Sequence, residues 1–214
     1  MLDGSGKPPP PGERTAVAGS RTQPVTEAGR QARIERSRAT RQHDLHGVVE
    51  DIHKERNAAT LMRTCEAVGV GCVHVVVTHD SGWAPEVGIS RGTERWLATE
   101  FYANPGECLA RLAYAGFAVY CTAVDPRAVH FRDVDYTRRC AIVFGNEMMG
   151  VSSTALELAD ARIMVPMMGL GQSLNVSSAA AVVLYEAQRQ REAKGMYPGC
   201  GAPSVRDGEG GAQA

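Results

Sequence analysis

The sequence predicts an α/β fold in which a mainly parallel sheet carries helices on both faces. Short apolar runs alternate with helical patterns along the chain, which is typical of strand–helix–strand units. Two of these runs, Cys140–Phe144 and residues 162–165, each end in a turn that carries Gly, Asn, Glu or Ser. Because ligands bind beyond the carboxyl ends of parallel strands, these two turns predict a small-molecule site.

The first elements follow from their residue patterns. Residues 27–42 are polar and rich in arginine, which favours an exposed helix, and residues 47–52 form a strand. Residues 57–68 form a helix that Gly69 ends. Its apolar stripe has helical spacing and consists of Ala58, Leu61, Cys65 and Val68. Residues 72–78 are mainly apolar and predict a strand.

The middle of the chain predicts a loop, a strand and a helix. Residues 79–95 contain several glycines and a proline and form the loop, and residues 96–102 alternate as a strand. Pro105 begins a helix that runs to Tyr114, and Gly116 ends it. Residues 117–123 form the next strand, followed by a turn at residues 124–126.

The last third supplies the most informative elements. After the strand Cys140–Phe144, residues 154–157 have capping-box spacing for a short helix. A strand at residues 162–165 precedes the last helix, at residues 173–190. The turn between them offers free backbone groups to a ligand, and Ser173 or Asn175 caps the helix.

Composition sets the bounds. The chain has 214 residues and a net charge of −1, enough for one domain at residues 27–197. Residues 1–26 and 198–214 are poor in large apolar side chains, so we expect disordered tails. We expect no membrane span, because no apolar run approaches about 20 residues, and a cytoplasmic location, because the first residues lack a signal-peptide pattern. The cysteines form no C-x-x-C pair, so we expect reduced thiols and no metal.

Arginine supplies most of the positive charge and clusters in two places. One cluster lies in the first helix and the other near the end of the last helix; the members are Arg30, Arg33, Arg36, Arg38 and Arg41, and Arg189, Arg191 and Lys194. A solvated helix face and an RNA-binding surface explain these clusters equally well.

Single motifs leave alternatives open. Asn57 is well placed as the N-cap of its helix, and Arg63 lies opposite the apolar stripe, as an exposed arginine paired with Glu66 would. Gly145 and the following Glu147 suit either an ordinary strand–helix turn or a ligand contact. No G-x-G-x-x-G follows the first strand and no G-K-[ST] occurs, which argues against dinucleotide and P-loop sites.

Taken in order, these motifs resemble those of the TrmH (SpoU) branch of the SPOUT superfamily of RNA 2′-O-ribose methyltransferases, and within it the tRNA guanosine-2′-O-methyltransferases. The matching stretches include Asn57 with residues 63–69, 131–137, 144–147 and 163–177. The resemblance spans roughly residues 27–197.

The resemblance implies a deep trefoil knot in the C-terminal part of the sheet and an obligate homodimer whose active sites straddle the interface. It implies S-adenosyl-L-methionine as methyl donor, held by Thr122, Gly145, Val165 and Leu174. It gives the catalytic role on the ribose hydroxyl to Arg63, together with Asn57, Glu147, Ser173 and Asn175. It assigns tRNA phosphates to Arg36, Arg41, Arg189 and Arg191.

The function that this resemblance favours is methylation of the ribose 2′-OH of the D-loop guanosine at position 18 of tRNA. Two alternatives stay open: the same chemistry on ribosomal RNA, and a knotted RNA-binding protein without catalytic activity. Because a guanidinium is essentially always protonated, we expect Arg63 to stabilise developing alkoxide charge while the proton passes to a substrate phosphate or water.

Overall fold

The computed structural model describes residues 26–78 and 96–198. The predicted loop 79–95, Cys200 and nearly all of both predicted tails lie outside these residues. The chain divides into two compact units, Met1–Glu35 and Arg36–Ala214, and the sheet belongs to the second. The elements in chain order are α1 Glu27–Ala39, β1 Gln42–Glu50, α2 Glu55–Val68, β2 Val70–Val76, β3 Ala98–Tyr102, α3 Pro105–Tyr114, β4 Ala118–Thr122, β5 Val129–His130, β6 Cys140–Phe144, α4 Ser153–Leu158, β7 Ala161–Met164 and α5 Val176–Ala193.

The strands form one sheet in the order β3-β2-β1-β6-β4-β7-β5, and every described pairing is parallel. Strand β6 lies between β1 and β4. Strands β2 and β3 lie on one side of β1, and strands β4 to β7 lie on its other side. All residues of β6 are buried, which explains why it reads as an unbroken apolar run. The predicted mainly parallel sheet is confirmed.

Helices cover both faces of this sheet, as predicted. Alternate residues of β6 point to opposite sides: Ile142 and Phe144 join the core beneath α2 and α5, whereas Val143 joins a second core beneath α3 and α4. The apolar stripe of α2 is buried in the first core, and α2 packs directly on α5. Helices α2 and α5 therefore share one core, which fixes their positions relative to each other.

Several boundaries differ from the predicted ones. The short helix α4 begins at Ser153, and its cap is Ser152, which accepts a hydrogen bond from the N–H of Ala155 at 3.2 Å. The predicted capping box at residues 154–157 is wrong, because the cap lies two residues earlier. Strand β5 has only two residues, too few to leave a periodic pattern in the sequence.

Among the described residues, no helix is long and apolar enough to cross a bilayer, and no group of three or more His, Cys, Asp or Glu side chains could hold a metal ion. The five cysteines within the described ranges are buried free thiols. The cytoplasmic location stays a prediction.

A histidine pair lies between the first two strands of the sheet. Nδ1 of His46 lies 3.0 Å from Nε2 of His74, and the His46 ring packs on Phe117. Burial, and then the nearby His74, lower the pKa of His46 from 6.5 to about 4. Burial also lowers the pKa of His74, although the adjacent Glu100 opposes this shift. Both rings are therefore neutral at pH 7 in the folded protein.

Acid should destabilise the fold through this pair. Between the unfolded pKa of 6.5 and the folded value of about 4, the unfolded chain binds more protons, so the free energy of unfolding falls as the pH falls. Chemical denaturation from about pH 7.5 to about pH 4.5 should show this slope, and His46→Phe should reduce it by up to about one proton. An equal slope in His46→Phe and the wild type would contradict the assignment.

Candidate active site

Two loops at the carboxyl edge of the sheet enclose a cleft of about 1150 Å³. One follows β6 and spans residues 145–152, the other follows β7 and spans residues 165–175, and the end of β4 completes the wall. The four residues predicted to hold a cofactor all line this cleft: Thr122, Gly145, Val165 and Leu174. The structure brings them together, and their role in binding stays a prediction.

Three of the predicted catalytic side chains form a hydrogen-bonded cluster. Asn57 donates from Nδ2 to Oε1 of Glu147 at 2.7 Å, and its Oδ1 accepts from Nδ2 of Asn175 at 3.1 Å. Glu147 and Asn175 line the cleft, whereas Asn57 is buried. The cluster ties α2 to the loop after β6 and to the start of α5.

Backbone groups complete the surroundings of the Glu147 carboxylate. The N–H groups of His53 and Lys54 donate to Oε2 and Oε1 at 3.1 and 3.2 Å. Burial raises the pKa of Glu147, but the hydrogen bonds from Asn57 and from backbone N–H groups outweigh burial and hold the pKa below its ordinary value. The carboxylate is therefore ionised at neutral pH and acts only as an acceptor.

Asn57 does not cap its helix, and that prediction is wrong. Helix α2 begins at Glu55 after Lys54, whose side chain forms no capping hydrogen bond. The N–H of Asn57 bonds to the carbonyl of Lys54, so this residue already lies within the first turn. Its side chain is free of the cap and therefore available to Glu147 and Asn175.

Asn175 is the cap of α5. Its Oδ1 accepts from the N–H of Ser177 at 3.0 Å and from the Ser177 hydroxyl at 2.6 Å. The last helix consequently begins at Val176 rather than at residue 173. Ser173 lies in the preceding loop, where its exposed side chain lines the cleft and has no hydrogen-bond partner within the described part of the chain.

Arg63 is exposed and does not join the cluster. It lies six positions after Asn57, which corresponds to about 9 Å along the helix and about 120° around it. The expected pairing with Glu66 is absent from the described ion pairs. Within one chain, the guanidinium therefore points away from the residues that it was predicted to assist.

The loop after β6 is tightly packed at its start. A Cβ atom at Gly145 would lie 2.3 Å from the backbone of Gly150 and Val151, so only glycine fits there. Asn146, which the sequence analysis did not single out, donates from Nδ2 to the carbonyl of Asp51 at 2.8 Å. Its Oδ1 accepts from the N–H groups of Met148 and Met149. A single asparagine thus shapes this wall of the cleft, and its position after a glycine was the available signal.

The charged residues that line the cleft are Lys54, Asp125 and Glu147. The backbone N–H of Arg127, and then the Arg127 and Arg162 side chains, lower the pKa of Asp125 well below its ordinary range. Two ionised carboxylates and one ammonium suit a ligand that carries cationic groups and a separate anionic group. The Asp-Pro turn at residues 125–126 is visible in the sequence, but the ion pair with Arg162 is not.

The four arginines predicted to bind RNA fall into different environments. Arg36 is exposed. Arg189 is mostly exposed but forms an ion pair with Glu186 at 2.7 Å. Arg41 is half-buried, and its guanidinium donates to the carbonyls of Val70 and Trp96. These three remain compatible with a surface role, although Arg41 is already engaged by the fold.

Arg191 cannot bind RNA in this structure, and its prediction is wrong. Its side chain is fully buried. The guanidinium donates to the carbonyl of Tyr136 at 2.8 Å, to Oε1 of Gln42 at 3.1 Å and to Oδ1 of Asp44 at 2.5 Å. It also donates to the carbonyl of Arg138 at 2.9 Å. The residue is a structural link between α5, the start of β1 and the segment before β6, because all its donors are used inside the protein.

Comparisons with known proteins show what the chain is similar to. A model described as the SpoU rRNA Methylase family matches residues 44–185. A Thermus thermophilus protein named tRNA (guanosine(18)-2′-O)-methyltransferase is 46% identical over 173 residues, which cover 80% of this chain and 88% of that protein.

Two solved structures are also similar. The Aquifex aeolicus TrmH/SpoU tRNA modifying enzyme superposes with a TM-score of 0.72 at 40% identity, over 78% of this chain and 86% of that chain. The SpoU methyltransferase AviRb from Streptomyces viridochromogenes, solved in complex with the cofactor AdoMet, superposes with a TM-score of 0.63 at 26% identity, over 73% and 64% of the two chains.

The two arginines near the end of α5 should behave differently when truncated. Arg191→Ala should lower the free energy of unfolding by about 3–5 kcal/mol, because it leaves buried carbonyls and a carboxylate without their donor. Arg189→Ala should lower it much less, because that ion pair is exposed on the arginine side. Urea denaturation of both variants measures the difference, and equal losses would show that Arg191 is not the structural link described here.

Proposed function

The chain belongs to the SpoU rRNA Methylase family, and we propose that it transfers a methyl group from S-adenosylmethionine to the ribose 2′-OH of guanosine 18 in tRNA. It is a methyltransferase. The observation that carries the proposal is the ionised Glu147, bound to Asn57 and through it to Asn175, beside a cleft at the carboxyl edge of the sheet. The 46% identity to a tRNA (guanosine(18)-2′-O)-methyltransferase specifies the substrate.

The cleft fits S-adenosylmethionine. When bound, this cofactor supplies an electrophilic methyl group on a sulfonium centre. The carboxylates of Asp125 and Glu147 complement its cationic groups, and Lys54 complements its carboxylate. Residues Thr122, Gly145, Val165 and Leu174 hold it between the two loops, where the tight turn at Gly145 keeps the wall in place.

The polar cluster orients the ribose. Asn175 and Ser173 face the cleft and offer hydrogen bonds to sugar hydroxyls, while Glu147 fixes Asn57 and so fixes Asn175. A ribose hydroxyl is a poor nucleophile at neutral pH, so holding it in line with the methyl group is the main contribution of the protein. Such positioning can supply about 7–11 kcal/mol of the barrier.

Arg63 completes the site from a second copy of the chain. Within its own chain it is exposed and points away from the cluster, so it is free to reach a neighbouring protomer. As a permanent cation it stabilises the developing alkoxide, and the proton leaves to a substrate phosphate or water.

A homodimer is supported by the apolar side chains around the cleft. Met148, Met168 and Leu170 are almost fully exposed, and Val182 and Tyr185 are partly exposed on α5. Exposed apolar groups of this kind mark interaction surfaces. A second copy that covers them buries this surface and delivers Arg63 to the ribose.

A knot is supported by the route of the chain after β7. This strand lies on the far side of β4 from β6, yet α5 packs against α2. The loop 165–175 therefore returns along the carboxyl edge of the sheet beside the loop 145–152. We propose that it passes through that loop and forms the deep trefoil knot.

Binding of tRNA uses the exposed arginines. Arg36 and Arg189 contact phosphates, Arg41 contributes while it holds the edge of the sheet, and Arg191 takes no part. Ribosomal RNA as substrate is the alternative, since the family description names it. A catalytically silent RNA-binding protein does not agree with the methyltransferase family to which the chain belongs.

Incubation with methyl-labelled S-adenosylmethionine tests the function directly. Unmodified tRNA should accept one methyl group at the 2′-OH of guanosine 18, and nucleoside mapping locates it. A tRNA that carries adenosine at this position is the control and should accept none. Labelling of ribosomal RNA alone would favour the alternative substrate, and labelling of neither RNA would contradict the proposed activity.

Heterodimers test whether the site straddles two chains. Arg63→Ala and Glu147→Gln should each lose most of the turnover as homodimers. A purified heterodimer of these two variants has one intact site if the site is shared, so it should regain about half of the wild-type rate. The matched control pairs wild type with the double variant, and it should be inactive. Activity only in the control pair would place Arg63 and Glu147 in a site formed by one chain.

A further inference from the structure

A strained turn lies directly after β1. Asp51 has a φ of +48°, and it is the one non-glycine residue with positive φ within the described ranges. Left-handed backbone disfavours residues with a Cβ, and aspartate is among the few that adopt it. Such conformations persist only where surrounding contacts fix them, and they concentrate at functional sites.

Four hydrogen bonds fix Asp51 in this conformation. Its carboxylate accepts from the N–H of Thr78 at 2.8 Å and from the Thr78 hydroxyl at 2.5 Å. Its own N–H donates to the carbonyl of Val76 at 3.0 Å, and its carbonyl accepts from Nδ2 of Asn146 at 2.8 Å. The turn is thus locked between the end of β2 and the loop after β6.

The fixed turn at Asp51 directs the next residues of the chain toward Glu147. The chain leaves Asp51 toward His53 and Lys54, whose N–H groups both donate to Glu147. The preceding residue, Glu50, accepts from the N–H of Ser152 at 3.0 Å. The end of β1 therefore holds the loop 145–152 near both of its ends and supplies two of the donors that orient its carboxylate.

We propose that Asp51 is a positioning residue for methyl transfer: its locked left-handed turn aims the His53 and Lys54 N–H groups at Glu147 and so sets the orientation of Asn57 and Asn175. Asp51 is not one of the described residues that line the cleft. It therefore acts through Glu147 and does not contact a ligand. The inference rests on the proposed function for its kinetic consequence.

Substitutions at residue 51 separate the effect of the positive φ from the effect of the hydrogen bonds between the Asp51 carboxylate and Thr78. Asp51→Gly adopts the positive φ without strain but removes the carboxylate, so it should fold and lower kcat about 10- to 100-fold through misplacement of the cluster. Asp51→Asn tolerates the same φ and still bonds to Thr78, so it should keep most of the wild-type kcat. Thr78→Val removes the hydroxyl partner alone and should give an intermediate loss.

Asn104→Ala is the matched control for general stability. Asn104 caps α3, where its Oδ1 accepts from the N–H of Glu107, and it does not line the cleft. Loss of this cap should lower the melting temperature while kcat stays unchanged.

The KM for S-adenosylmethionine should change less than kcat in Asp51→Gly, because the contacts to the cofactor remain.

Amide hydrogen exchange gives a readout that does not depend on activity. In Asp51→Gly the amides of His53 and Lys54 should exchange about tenfold faster or more, because they lose a fixed acceptor. The proposal is overturned if these amides stay protected, if Asp51→Asn is as slow as Asp51→Gly, or if Asn104→Ala loses as much kcat. If the wild type methylates no RNA, the proposed function fails, whereas the exchange data still decide whether Asp51 aims the two donors.

Discussion

The carboxylate of Glu147 makes the contacts on which the arrangement of the candidate active site depends. It accepts hydrogen bonds from two backbone N–H groups in the turn after β1 and from Asn57 in α2. Asn57 passes the constraint to Asn175, which is the cap of α5. Asn57 is the buried member of this cluster, and its amide bonds to both Glu147 and Asn175, so the three side chains constrain one another. A single ion thus holds three distant segments of the chain in one geometry.

The parallel sheet makes this contact possible. Strands β1, β6, β4 and β7 are neighbours and run in the same direction, so the loops that follow them meet at one edge. Buried side chains on alternate faces of β6 pack against two different helix pairs, which prevents the sheet from tilting beneath the loops. The proposed mechanism, which works mainly by alignment, needs such a rigid support, since small displacements of the reacting atoms are costly.

Much of this architecture can be predicted from the sequence. The other features leave no local signal in the sequence, for physical reasons. The buried strand Cys140–Phe144 and the Pro105 start of α3 have strong local signals, and both are confirmed. The role of Asn57 is not local: its partners lie 90 and 118 positions away, so the sequence suggested only a helix cap. Arg191 looked like its exposed neighbour Arg189, since helical position alone does not reveal that a loop and a strand cover it. The strain at Asp51 has no sequence signal, because aspartate is common in ordinary turns.

The buried guanidinium of Arg191 has a consequence for the synthesis of the protein. Its acceptors on Gln42 and Asp44 lie 149 and 147 positions earlier, in the first strand of the sheet. Those oxygens stay without this donor until the last helix has left the ribosome. The first strand therefore cannot reach its native environment until α5 has been synthesised, and a nascent chain that stops before Arg191 lacks the contact that joins α5 to β1.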